Sequence, residues 1–202
     1  MAEAMHVDCE GDKLDSTKET PSSRFLIKWP DKLQEAKRYK QAGNEHYKAG
    51  NVKKAIGSYH RALLYLRGIK KSEEDVPFLE KKKKSCIPIK IQEEITQLSS
   101  QCYNNLSACL LQTDNPSYEK VKLYCDNVLE VAPNNVKALY RRGVAAYHLR
   151  SPDDALIYLK QAGNEPDGKK DANIKKYIQL CENAIVEQDE QVKNVCKAMF
   201  SS

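Results

Sequence analysis

Apolar positions in residues 134–162, NNVKALYRRGVAAYHLRSPDDALIYLKQA, fall into two helical stripes separated by a short polar break. Leu139, Tyr140, Gly143, Ala146 and Tyr147 recur at three-four spacing, which places them along one face of a helix over 136–149. Ser151-Pro152 then reads as a capping serine with proline at the first helical position. Ala155, Leu156, Leu159 and Ala162 carry the same spacing through a second helix. The small residues Gly143, Ala155 and Ala162 predict a close approach of the two backbones. One helical hairpin of this kind leaves apolar surface open on both sides, so it needs neighbours of the same build.

Two further copies are present. In residues 36–65, Tyr39, Ala42, Gly43, Tyr47, Ala55, Tyr59 and Ala62 stand where Leu139, Arg142, Gly143, Tyr147, Ala155, Leu159 and Ala162 stand in the first. From about Ser100 to Pro133 the pattern returns with Tyr103, Leu106, Ser107 and Leu110, then Val121, Cys125 and Val128. These residues resemble the tetratricopeptide repeat (TPR), a helix-turn-helix unit of about 34 residues. Gly43 and Ser107 are 64 residues apart, one period plus an insertion, and Ser107 and Gly143 are 36 apart, one period plus a slightly longer turn. The expected fold is all-α: a TPR solenoid of three repeats and a C-terminal capping helix.

The domain layout follows from the pattern. Residues 1–30 are mostly polar and predict a disordered tail. Its end, Phe25, Leu26, Ile27 and Trp29, reads as a staple onto the first helix or, alternatively, a docking motif. The TPR domain spans 31–199: repeat one 36–67, an insertion 68–99, repeat two 100–133, repeat three 136–168 and a capping helix 171–199. Asp31 is expected to cap a helix ending at Lys48, Gly50-Asn51 to turn the chain, and the second helix to end near Arg67. Within the insertion, Glu73-Glu74-Asp75 and Lys81 to Lys84 read as a solvated loop or helix extension, with a polybasic site as the sharper option. A helix resumes near Pro88. Ile174, Tyr177, Ile178, Cys181 and Ile185 form the stripe that closes the open end of the stack.

Composition narrows the function classes. At 202 residues with 41% hydrophobic content, the chain holds one ordinary domain. The seven cysteines are an odd number without scaffold spacing; Cys102, Cys109 and Cys125 fall on buried faces, as free thiols do in a reducing compartment. No apolar run is long enough to cross a membrane and no secretory signal precedes the domain, so a cytoplasmic location, with access to the nucleus open, is expected. No phosphate-binding glycine loop, HExxH or CxxC pair occurs and His6, His46, His60 and His148 stand apart, so neither an enzyme nor a cofactor is expected. A net charge of +5 spread along the chain does not point to nucleic acid.

The candidate chemistry is on the first helices of the repeats, which line the hollow face of a TPR solenoid. Lys40 and Asn44, and Lys137 and Arg141, are each one turn apart on one helix face, and Asn105 is on the helix between. Stacked in register, these five give a wall of cations and amides without a carboxylate, suited to an extended peptide that ends in carboxylates. The pattern resembles the carboxylate clamp of TPR co-chaperones: Lys40-x-x-Gly43-Asn44, Asn105-Leu106 and Lys137-x-x-x-Arg141-Arg142-Gly143. The resemblance implies that Lys40, Asn44 and Asn105 hold the terminal carboxylate, and Lys137 and Arg141 the last Asp side chain, of the Glu-Glu-Val-Asp tail of heat-shock protein 90 and possibly 70. Tyr47 and Leu110 either line the groove or pack the core.

SYHRALLYLRG (58–68), CYNNLSACLLQ (102–112), YRRGVAAYHL (140–149) and DANIKKYIQL (171–180) are similar to the tetratricopeptide repeat protein 9 family over about 33–182. That resemblance implies binding of heat-shock protein 90 through the clamp, with a cytoskeletal partner also suggested. Large immunophilins carry a similar TPR tail. Their isomerase domain needs about 100 residues, more than stand before the repeats here. The competing expectation is a TPR scaffold for an internal peptide or helix of a cytoskeletal or signalling partner.

Overall fold

A computed structural model of the chain describes residues 29–74 and 87–200. Among the described residues seven helices follow one another: α1 (Trp29–Lys48), α2 (Val52–Glu74), α3 (Ile89–Leu111), α4 (Tyr118–Leu129), α5 (Val136–His148), α6 (Pro152–Asn164) and α7 (Ala172–Phe200). No strand occurs among the described residues, and no helix there is long and apolar enough to cross a membrane. The helices pair as hairpins α1–α2, α3–α4 and α5–α6, each packed on the next, with α7 laid on α6. The first helices also touch in order, α1 with α3, α3 with α5, and α5 with α7. The result is the all-α TPR solenoid, two layers deep, that the periodicity predicts.

Each hairpin closes on a small residue. A Cβ on Gly43 would lie 2.6 Å from the Tyr59 ring, and one on Gly143 would lie 2.6 Å from Leu159 and 3.1 Å from the Ala155 carbonyl. In repeat two the glycine is replaced by fully buried Ser107, whose hydroxyl donates to the Asn104 carbonyl at 2.7 Å. There the facing side chain is Cys125, smaller than Tyr59 or Leu159, so the larger residue on one helix is matched by a smaller one on the other. Cys102, Cys109, Cys125 and Cys181 are buried and free; burial pushes Cys102 up to about 12 and the other three up to about 11, leaving them unreactive thiols. Cys9 and Cys86 lie outside the described residues.

Hairpin ends one and three use the same device. Gly50 has φ 74° and Arg150 has φ 61°. Asn51 N–H donates to the His46 carbonyl and Gly50 N–H to that of Tyr47; Ser151 and Arg150 do the same to Ala146 and Tyr147. This pair of bonds satisfies the last carbonyls of a helix and reverses the chain. Ser151 stands at the N-cap and Pro152 opens α6, as expected, but the serine side chain makes no capping bond. Asn135, by contrast, caps α5 by accepting from Ala138 N–H.

Two boundaries differ from the expectation. Helix α1 begins at Trp29, inside the expected tail, so Asp31 lies in the first turn rather than at the cap. Helix α2 passes Arg67 and runs to Glu74, because buried Ile69 extends the stripe of Ala62 and Leu66. Ile69 packs with Leu33, Leu66, Ile87, Ile95 and Leu98, and Trp29 rests against the same cluster. Lys32 adds a bond from its ammonium to the Gly68 carbonyl at 3.0 Å. The ends of the 68–99 insertion thus lengthen α2 and α3 and build a cluster of their own. Phe25 to Ile27, Asp75 and the Lys81–Lys84 run lie outside the described residues.

Arg142 ties repeat two to repeat three. It is 5% exposed, with Nε 2.7 Å from Asp126 of α4 and Nη1 2.9 Å from Asp154 of α6, and its guanidinium lies over the Tyr158 ring. Burial opposes its charge, but Asp154 and Asp126 outweigh that cost and raise its pKa.

Candidate functional site

The first helices present a polar ladder between α1 and α3. On α1, Lys40, Asn44 and Tyr47 follow at four-three spacing; on α3, Gln101 and Asn105 share a face, and Gln112 is the C-cap residue of that helix. The Lys40 ammonium donates to Gln101 Oε1, Asn105 Nδ2 to Asn44 Oδ1 at 3.1 Å, and Gln112 Nε2 to the Tyr47 hydroxyl at 2.7 Å. Asn44 Oδ1 also accepts from the Tyr59 hydroxyl at 2.9 Å, and Tyr59 is fully buried beneath it. Burial, with Cys109 alongside, pushes the Tyr59 phenol up to about 12, so it stays a donor at neutral pH. With both hydrogens directed at its oxygen, Asn44 is fixed in orientation and its amide N–H groups point elsewhere.

From α5, Arg141 reaches across to α3. Its Nη1 donates to the carbonyl oxygen of Asn104 at 3.0 Å and to the Asn104 side chain. Burial lowers its pKa from the ordinary arginine value, with only weak opposition from Cys125 and Tyr47, and the guanidinium remains protonated. No carboxylate pairs with Arg141, Lys40 or Lys137 among the described residues, whereas Lys37, Arg38, Lys122, Arg142 and Lys160 all have acidic partners. Arg141 Nε and Nη2 make no bond, and no buried side-chain nitrogen or oxygen there lacks a partner, so both nitrogens are reachable from solvent.

The five sequence-derived residues are therefore distributed as follows. Lys40, Asn44 and Asn105 are half-buried on adjoining helices, with Asn44 and Asn105 bonded to one another. Arg141 meets Asn104, the neighbour of Asn105, from the next helix. Lys137 is exposed in the first turn of α5, one turn before Arg141, and no bond joins it to the other four. Tyr47 packs on the repeat-one core and its hydroxyl accepts from Gln112; Leu110 packs beside Val121 and Cys125.

The sequence reading missed Gln101, Asn104, Tyr59 and Gln112 as partners of these groups. Gln101 shares the helical face of Asn105 and could have been found by spacing; Gln112 at the C-cap, Asn104 and Tyr59 required the packing. At the far end, Tyr118 stacks on His148 at 4.4 Å between centroids, and Tyr177 of α7 meets Tyr140 and Tyr147 edge-on, fixing the capping helix to repeat three. A cleft of about 400 Å³ among α2, α3 and α4 is lined by His60, Leu64, Arg67, Tyr103 and Leu123.

No family model matches the chain. It is 39% identical over 171 residues to tetratricopeptide repeat protein 9C of Xenopus tropicalis, covering 83% of this chain and 93% of that protein. Among solved structures, it is similar to the C-terminal TPR-containing domain of a Plasmodium falciparum FK506-binding protein, with TM-score 0.66 and 24% identity, over 82% of this chain and 98% of that one. The first TPR domain of Spaghetti, solved bound to the HSP90 peptide SRMEEVD, shares the fold at TM-score 0.52 and 15% identity, over 76% of this chain and 95% of that one.

Proposed function

The chain belongs to the tetratricopeptide repeat protein 9 family, and from that premise we propose that its inner face receives the acidic C-terminal tail of heat-shock protein 90 or 70. The TPR fold makes the chain a protein-interaction module; the proposal adds what it grips. Lys40, Asn44 and Asn105 hold the terminal carboxylate, and Lys137 and Arg141 hold the last acidic side chain and the backbone before it. The protein acts as a co-chaperone-type adaptor in the cytoplasm, where its buried thiols remain reduced.

The observation that supports this reading is that Lys40, Lys137 and Arg141 have no carboxylate partner among the described residues, although Lys37, one turn before Lys40 on α1, is paired with Glu94 of α3. A half-buried guanidinium held only by neutral Asn104 has already lost much of its hydration, and an incoming carboxylate supplies the missing counter-charge. The likeness in fold to a TPR domain that carries the peptide SRMEEVD adds support. Charge-assisted bonds contribute about 1.5–3 kcal/mol each. Several of them, less the cost of association, reach the roughly −8 kcal/mol of a micromolar complex.

Calorimetric titration of the full chain with a peptide ending in Glu-Glu-Val-Asp tests the assignment. Lys137→Ala and Arg141→Ala each weaken binding at least about tenfold, about 1.4 kcal/mol, with helicity unchanged. Lys120→Ala, exposed on α4, leaves affinity as it was. Higher salt weakens the complex, because the contacts are partly open to solvent. Wild-type affinity in both clamp variants would remove these side chains from the site.

A further inference from the structure

The face that α7 lays on the solenoid continues past the end of the solenoid. Ile174, Tyr177, Ile178 and Cys181 pack against α5 and α6. Beyond them Ile185, Val192, Val195 and Met199 prolong the same stripe, yet from Val186 onward every described side chain is exposed. Val192 is 61%, Val195 58% and Met199 72% exposed. With Gln188 as the single polar member, the positions 181, 185, 188, 192, 195 and 199 alternate by four and three. That is the seven-residue repeat of a helix that pairs with another helix, with β-branched Ile185 and Val192 in equivalent places.

We propose that residues 185–200 pair antiparallel with the same segment of a second copy of this chain, setting Val192 against the partner's Val195. Sterics and charge both select this arrangement. In a parallel pair, the second helix would run on beside residues 172–184, along the strip that α5 and α6 already fill. In an antiparallel pair, each solenoid lies at the far end of the other's helix and nothing collides. The overhang is acidic in its first half, with Glu187, Asp189 and Glu190, and basic in its second, with Lys193 and Lys197. Reversing one helix brings acidic turns beside basic ones, whereas parallel pairing places like beside like. Two overhangs of this length, about 24 Å each, cover on the order of 1,000 Å² in total, the low end for a specific interface. The dimer is accordingly weak and depends on concentration.

Sedimentation equilibrium of the full chain from about 1 to about 200 µM tests this. The average mass rises from one chain toward two across that range, and Val192→Asp with Val195→Asp returns it to one chain at every concentration, with far-UV ellipticity retained. Orientation is read by oxidising an equimolar mixture of Val192→Cys and Val195→Cys chains, both carrying Cys196→Ser. The mixed disulfide exceeds either self-disulfide several-fold. A monomer at the highest concentration, a dimer unaffected by the two aspartates, or a predominant Val192→Cys self-disulfide would each overturn the proposal.

Discussion

Arg142 is held by Asp126 and Asp154 at 2.7 and 2.9 Å, while Arg141, one residue earlier, has no acidic partner and donates to Asn104. Their substitution therefore separates stability from binding. Arg142→Ala leaves Asp126 without its cation, Asp154 with only Lys122 at 3.8 Å, and an unfilled space beneath Tyr158, and it lowers unfolding free energy by about 1–3 kcal/mol. Arg141→Ala removes a desolvated charge that nothing compensates, so stability is unchanged or up to about 1 kcal/mol higher. Urea unfolding of both variants checks the contrast; equal losses would mean that the two arginines share one structural task. The Arg-Arg-Gly run does not distinguish them in sequence. Arg142 occupies a place filled by Ala42 in repeat one, and its role depends on carboxylates 16 and 12 residues away on other helices. The candidate residues of the inner face were legible because helical period fixes which side chains share a face. Their supports, Tyr59 beneath Asn44 and Asn104 beneath Arg141, were not, because those contacts arise between hairpins.

At the scale of elements, the apolar stripes located all seven helices, while capping and extension escaped the pattern. Ser151 stands at the N-cap of α6, yet its side chain makes no capping bond. Helix α2 outlasts its repeat because Ile69 finds Ile87 and Ile95, partners that only the fold brings together. The equivalence of Arg150 with Gly50 yields a direct test. A non-glycine residue in the left-handed region costs roughly 1–2 kcal/mol, so Arg150→Gly raises stability by about 1 kcal/mol. Differential scanning calorimetry would show this as a higher melting temperature; an unchanged or lower one would mean that the Arg150 side chain offsets its backbone strain.

For the whole molecule, stacking three hairpins aligns α1, α3 and α5 in one layer and leaves α7 to cover the last apolar face. Each repeat supplies a few polar groups to this layer: Lys40 and Asn44 from α1, Asn105 from α3, and Lys137 and Arg141 from α5. Under the proposed function, the free chain end of the ligand is the feature this surface detects, because an internal peptide or docked helix has no terminal carboxylate to offer. The most direct measurement is a paired titration with two Glu-Glu-Val-Asp peptides that differ only at the last atom group, one a free acid and the other an amide. The acid is expected to bind with a micromolar Kd, and the amide at least about tenfold more weakly. Equal affinity for the two would contradict it and identify a scaffold that reads internal sequence.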